Sequence, residues 1–240
     1  MLTRTSLDKE LTRISGELAR RAQKRNRISF HMYVWHLTVG MSYFIKRLFD
    51  ILISGAALFV LSPLFLLLAI WIKLDSPGPV IYRQIRVGRF GRHFRFYKFR
   101  TMRVDADRIK SELLAENQSA DGVIFKMKRD PRITRLGRYL RKFSIDELPQ
   151  LFNVLLGDMS LVGPRPPLPD EVRQYTLEDR KRLNVVPGLT CIWQVCGRSD
   201  IPFSKQVQLD KEYIASHGFW RDCWLLIRTI PAILTGKGAY

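Results

Sequence analysis

The stretch ILISGAALFVLSPLFLLLAIWI, residues 51 to 72, carries no charged side chain. At about 1.5 Å of rise per residue, a helix of this length is about 33 Å long, enough to cross the hydrocarbon core of a bilayer. Ser62 and Pro63 stand near its middle. A proline there removes one backbone donor and clashes with the preceding turn, a physical cause for a sharp kink. The Ser62 hydroxyl can bond a carbonyl that the bend frees, which lowers the cost of bending in lipid. Both flanks are basic. Upstream lie Arg20, Arg21, Lys24, Arg25, Arg27, Lys46 and Arg47; downstream lie Lys73, Arg83, Arg86, Arg89, Arg92, Arg95 and Lys98. A spanning helix would put one cluster outside, against the positive-inside tendency. A hairpin bent at Ser62-Pro63 leaves both in the cytoplasm. The sequence therefore favours a re-entrant hairpin, with a spanning, mildly kinked helix as the alternative.

The rest of the composition narrows the class. A net charge of +18 over 240 residues points to anionic partners: phospholipid, nucleic acid or phosphorylated substrates. With 46% hydrophobic residues the chain is not disordered. Cys191, Cys196 and Cys223 are odd in number and lack metal-site spacing, which reads as reduced cytoplasmic thiols. The four histidines do not pair with Cys or carboxylate at ligand spacing, so no zinc site is expected. The first 27 residues are polar and basic, unlike a secretory signal peptide.

Residues 1–27 read as a charged helix, and residues 28–45 as an interfacial segment with Tyr33, Trp35 and Tyr43. After the DSPGP break at 75–79, VIYRQIRVGRFGRHFRFYKFRTM alternates about Gly88–Gly91 and predicts a β-hairpin. On its second strand Phe94, Phe96 and Lys98 share one face. Residues 103–117 look helical and ENQSADG reads as a loop. From Asp130 to Lys142, arginines at 132, 135, 138 and 141 predict a basic stripe on one helical face. GDMSLVGPRPPLP, 157–169, reads as irregular. The closing FWRDCWLLIRTIPAILTGKGAY suggests an interfacial helix, with core packing as the alternative.

Chemistry concentrates in RKFSIDELPQLFNVLLGDMSLVGPRP, 141–166. Asp146 and Glu147 are adjacent carboxylates beside the basic stripe. Ser144-x-x-Glu147 also matches a helix capping box, a purely structural reading. Pro149 argues against it: counted from Ser144, it falls at the fifth helical position and loses a real hydrogen bond. Counted from Asp146 as cap, it lies in the first turn, where its missing N–H costs little.

These residues resemble the monotopic phosphoglycosyl transferases, the bacterial sugar transferase family that acts on polyprenyl phosphate. The matching pieces run in order: KRLFD (46–50), Ser62-Pro63, YRQIRVG (82–88), FYKFRTM (96–102), LRKFSIDELPQLFNVLLGDMSLVGPRP (140–166), PGLT (187–190) and WQVCGRSD (193–200). They cover residues 46–240; no role is carried onto 1–45. The resemblance implies an α+β, mostly helical monotopic membrane protein, with a re-entrant hairpin kinked at Ser62-Pro63, a small β-hairpin and interfacial amphipathic helices. Its expected parts are an N-terminal extension (1–45), the re-entrant helix (46–74) and a cytoplasmic catalytic domain (75–240). The resemblance leads us to expect a short form, without the multi-span N-terminal region of longer members.

The resemblance also implies the reaction: transfer of hexose-1-phosphate from UDP-glucose or UDP-galactose to undecaprenyl phosphate, with release of UMP, at the bacterial inner membrane. Asp146 would be the nucleophile and Glu147 its partner, with Mg²⁺ held by Glu147 and shared with Asp146. Lys98, Arg141, Pro164 and Arg165 would contact phosphate or nucleotide. Anionic phospholipid is an expected partner, nucleic acid is not, and self-association is left open. A UDP-N-acetylhexosamine donor is the alternative within the family. A non-catalytic, basic, membrane-tethered protein for lipid or nucleic acid is the alternative outside it.

Overall fold

A computed structural model describes residues 4–106, 108–109, 127, 130–216, 218–236 and 238, with the side chains of 4–31, 34–37 and 39 outside the description. Most of the expected helix at 103–117, the ENQSADG loop and the Trp35 side chain therefore lie outside the described residues. The chain divides into two compact units, residues 1–46 and 47–240.

Helix α1, Arg4–Asp75, is continuous and contains Pro63. The charged helix and the interfacial segment expected upstream are thus parts of one element. Pro63 cannot bond the Phe59 carbonyl four residues back. Ser62 takes its place: its Oγ donates to the Phe59 carbonyl at 2.7 Å. The freed acceptor is satisfied inside the helix, as lipid requires. One side of the apolar stretch faces outward, with Phe59 82% and Val60 72% exposed. This is the surface of a membrane-associated protein.

The other side packs within the second unit. Phe49, Ala57, Leu58 and Leu61 lie against a core of Phe96, Leu151, Val154, Met159, Leu161 and Val162. Beyond the proline, Leu68 and Ile72 join a second core with Phe99, Leu136 and Leu140. Polar anchors hold both ends. Asp50 is buried, and its Oδ1 accepts from the Leu161 N–H at 3.0 Å. Arg100, buried, donates to the carbonyls of Ile72 at 3.3 Å and Ser76 at 2.7 Å, and also to that of Pro77.

Strands β1, Ile81–Val87, and β2, His93–Phe99, form the expected antiparallel hairpin, joined by a tight turn at Arg89–Gly91. Helix α2 spans Arg135–Lys142, capped by the Thr134 side chain. The four-arginine stripe needs correction here. Arg132 precedes the helix and is buried in an ion pair with Asp130 at 2.6 Å. The cap at Thr134 leaves Arg135, Arg138 and Arg141 on the helix.

A one-turn helix at Ile145–Glu147 leads into α3, Gln150–Leu156. Arg47 donates to the Val154 and Leu155 carbonyls, closing the end of α3. The segment read as irregular holds β3, Ser160–Val162, which pairs in parallel with β4, Gly188–Thr190. Three residues per strand are too few to show alternation. Between them lie α4, Pro169–Arg173, and α5, Leu177–Arg180. Helices α6, Ile192–Cys196, α7, Phe203–Ser216, and α8, Phe219–Thr235, close the chain. On α8, Leu225 is fully buried while Trp220, Ile227, Ile230 and Leu234 are exposed. The core-packing reading holds for one face, and the other presents an exposed apolar row.

Candidate active site

Two elements bring the site together, and Asn153 joins them. This fully buried residue accepts from the Tyr97 N–H at 3.1 Å and donates to the Arg95 carbonyl at 2.6 Å. Its amide extends the β2 ladder like another strand and fixes α3 to the hairpin. Lys98, on the same face of β2 as Phe96, is thereby held over the turn before α3. Its Nζ lies 2.7 Å from Glu147 Oε1 and 3.4 Å from Asp146 Oδ2.

That turn is not a capping box. Ser144 has left-handed backbone (φ 53°), and its side chain caps nothing. Glu147 turns away from the helix to meet Arg165, whose Nη2 and Nη1 donate to Oε1 at 2.8 Å and Oε2 at 3.4 Å. Pro149 stands just before α3, where its missing N–H costs nothing. The carboxylates are thus presented by the turn without serving the helix.

Their surroundings drive the two acids apart. Burial, reinforced by the charge of Glu147, pushes the Asp146 carboxyl above its ordinary range, against the opposing pull of Lys98 and Arg141. Glu147 is buried as well, yet Arg165 and Lys98 hold it well below the usual carboxylate range. A pair split in this way supports two roles: a fixed anion, and a basic, nucleophilic carboxylate beside it.

Arg165 follows β3, and its position is set by backbone contacts on either side. Gly188 N–H donates to the Pro164 carbonyl at 2.9 Å. Arg86 donates from Nη1 to the Pro166 carbonyl at 3.0 Å and lies 5.2 Å from the centre of the Phe96 ring. Burial and the neighbouring Arg165 lower the Arg86 pKa to about 10. Two guanidiniums held this close are suited to an anion with more charge than Glu147 supplies. Arg86 belongs to the YRQIRVG piece, but a strand arginine among many others gave no separate signal.

Lys98, Asp146, Glu147 and Arg165 are in direct contact. Arg141, in the last turn of α2, acts on Asp146 through its charge. Pro164 shapes the loop. Ser62 and Pro63 belong to the membrane helix. Sequence reasoning missed Asn153, Asp50 and Arg86 as site-building residues. Each works through a backbone partner distant in sequence.

Asp146 and Glu147 are the residues here that could hold a divalent cation such as Mg²⁺. Among the described residues no group of three or more acidic, His or Cys ligands comes together. Mg²⁺ commonly takes only one or two carboxylates and completes its shell with water and phosphate oxygens. Asp146 offers a carboxylate engaged by a single long contact, and Glu147 stands next to it.

Comparison with known proteins identifies the family. The sequence profile of the bacterial sugar transferase family matches residues 41–236. The chain is 48% identical over 195 residues to the galactosyl transferase CpsE of Streptococcus agalactiae serotype III, covering 81% of this chain and 43% of that protein. It is 45% identical over 209 residues to the undecaprenyl-phosphate galactose phosphotransferase of Salmonella typhimurium, covering 85% and 44%. To the exopolysaccharide production protein ExoY of Sinorhizobium fredii it is 40% identical over 198 residues, covering 81% and 88%. The chain thus spans less than half the length of the first two relatives and most of the third. With a family match over four-fifths of its length, running through every part of the site, this chain belongs to the bacterial sugar transferase family.

Proposed function

We propose that the protein transfers hexose-1-phosphate from a UDP-hexose, galactose or glucose, to undecaprenyl phosphate and releases UMP, beginning the assembly of an exopolysaccharide or related glycoconjugate. The observation that carries this reading is the split carboxylate pair inside a ring of cations. Asp146 attacks the β-phosphorus of the donor. The bond to the UMP oxygen breaks and UMP leaves with the electron pair. A phosphosugar remains on Asp146 as an acyl phosphate. The phosphate of undecaprenyl phosphate then attacks this phosphorus and frees the Asp146 carboxylate.

Each cation has a task. Lys98 lowers the cost of bringing an anionic diphosphate to an anionic nucleophile. Arg165 and Arg86 bind diphosphate oxygens, with Arg165 moving between Glu147 and substrate. Glu147 and Asp146 would hold Mg²⁺, which supplies charge neutralisation at the phosphoryl oxygens. A basic lipid- or nucleic-acid-binding protein would explain the net charge but not a buried acid pair with opposed pKa shifts.

The membrane reading rests on the two anchored ends of the apolar stretch. Asp50 and Arg47 before it, and the carbonyls of Ile72 at its end and Ser76 after it, are all bound by one catalytic domain. One domain sits on one side of a bilayer, which supports a stretch that enters and returns. On this reading the chain has an extension 1–45, a re-entrant helix 46–74 and a domain 75–240 that faces the cytoplasm at the inner membrane, a side favoured by the basic flanks. Cysteines placed at 45 and 76 in intact cells should both be shielded from impermeant external thiol reagents. Labelling of one but not the other would make the helix a span.

The function itself is tested by incubating purified protein with UDP-galactose or UDP-glucose, Mg²⁺ and undecaprenyl phosphate. UMP release that depends on the lipid phosphate is expected. Its absence with both donors, when a UDP-N-acetylhexosamine supports release, would move the assignment to that donor. Absence with every donor would refute the transferase reading.

A further inference from the structure

Two non-glycine residues with left-handed backbone converge beside the acid pair. Ser144 directly precedes its turn, and Arg198, φ 54°, comes from the GRSD segment between α6 and α7. Left-handed backbone is strained for a long side chain and gathers at functional sites. Local bonds maintain it at Arg198. Gly197 N–H donates to the Trp193 carbonyl at 3.1 Å, Ile201 N–H to the Arg198 carbonyl at 3.2 Å, and Ser199 N–H to the Gly238 carbonyl at 3.1 Å. The side chain points to the end of α2. Its Nη1 donates to the Lys142 carbonyl at 3.3 Å, four residues before Asp146. Among the described residues no carboxylate forms an ion pair with it, yet Glu147 and Asp146 both act on its charge. A guanidinium held near two acids without pairing to either retains donors for another anion.

The neighbourhood suggests which anion. The chain leaving α8 packs into this corner. A Cβ on Gly236 would lie 2.8 Å from Lys142 Cγ, and one on Gly238 would lie 3.3 Å from Arg198 Cβ. Arg198 and Lys142 thus stand where α8 ends, and α8 carries the outward row of Trp220, Ile227, Ile230 and Leu234. A lipid phosphate travels at the depth of such an interfacial helix. Arg165 and Arg86 are instead held by the Pro164–Pro166 loop, through β1 and β4.

Resting on the function proposed above, we infer that Arg198 binds the phosphate of the lipid acceptor, leaving Arg165 and Arg86 to the donor diphosphate. In this second half-reaction an acceptor oxygen forms a bond to the phosphorus held on Asp146. The Asp146–phosphorus bond breaks, its electron pair returns to the carboxylate, and a diphosphate linkage results. The three negative charges that enter, two on the acceptor phosphate and one on the acyl phosphodiester, leave as two on the diphosphate and one on Asp146. Arg198 offsets the charge of the attacking phosphate and orients it.

The test separates the two halves. Detergent-purified protein is charged with radiolabelled UDP-hexose without acceptor, then chased with undecaprenyl phosphate at limiting concentration. For Arg198→Gln the loss is expected in the chase, slowed about tenfold to a hundredfold in keeping with a lost charged hydrogen bond, with a raised KM for the lipid and no change in KM for the donor. Arg198→Lys, which keeps the charge without the fork, should recover part of the chase rate. Slower charging by both variants would assign Arg198 to the donor, and an unchanged chase would remove it from the site; either overturns the inference. Wild-type protein that never charges would refute the covalent function, and this inference with it.

Discussion

Asp146→Asn is expected to abolish turnover, by about 10⁴-fold or more, as loss of a catalytic nucleophile does. The fold should be untouched. Asn matches Asp in shape and carries no charge to desolvate at a position only 5% exposed. Thermal stability in detergent should therefore hold or rise. Near-normal UMP release by this variant would return Asp146 to a structural role. The wild-type pH profile belongs to the same account. Because burial raises the Asp146 pKa, its carboxylate is lost as pH falls through a value above the usual carboxylate range of about 4. Glu147, held low by Arg165 and Lys98, stays ionised through that interval. The acid limb of kcat/KM should thus appear at higher pH than an ordinary aspartate would give. A limb at or below that ordinary range would contradict the split.

Gly188→Ala is expected to damage both the fold and the site. A Cβ at Gly188 would collide with the backbone N–H of Gly163 and lie 2.6 Å from its Cα. Both partners are backbone, so nothing can swing aside. Separating β3 from β4 should cost about 3 kcal/mol or more, the upper end for overpacking. It would also break the Gly188 N–H to Pro164 bond that sets the loop of Arg165. A fall of many degrees in melting temperature, with weaker donor binding, is the expected result. Gly40→Ala, where a Cβ meets only open space, should change little. Similar behaviour by the two variants would mean that the close approach at Gly188 is not what limits this site.

What was legible in the sequence was whatever repeats at short range or forms a long motif. The hairpin at 81–99 was visible because Phe94, Phe96 and Lys98 alternate with polar neighbours about two glycines. The membrane helix was visible through its uncharged length, and the Ser62 back-bond through the chemistry of proline. The acid pair was visible because Asp146 and Glu147 are adjacent within the longest matching piece. The parallel pair β3–β4 was not, since its strands are three residues long and 25 residues separate them. Asn153 carried no signal of its own, and only the fold reveals it bridging to β2. Arg132 fell into period with its neighbours, and the buried ion pair with Asp130 depends on where Thr134 starts the helix. In each miss a tertiary partner, rather than local spacing, determined the role.

The central claim is a covalent phosphosugar on Asp146. The most direct measurement is intact-protein and peptide mass spectrometry after incubation with UDP-hexose and Mg²⁺ in the absence of lipid acceptor. The account predicts one added hexose phosphate per protein, located on Asp146, released by hydroxylamine and matched by an equal amount of UMP. Full turnover with lipid present but no adduct without it, or an adduct carried on Glu147, would contradict it.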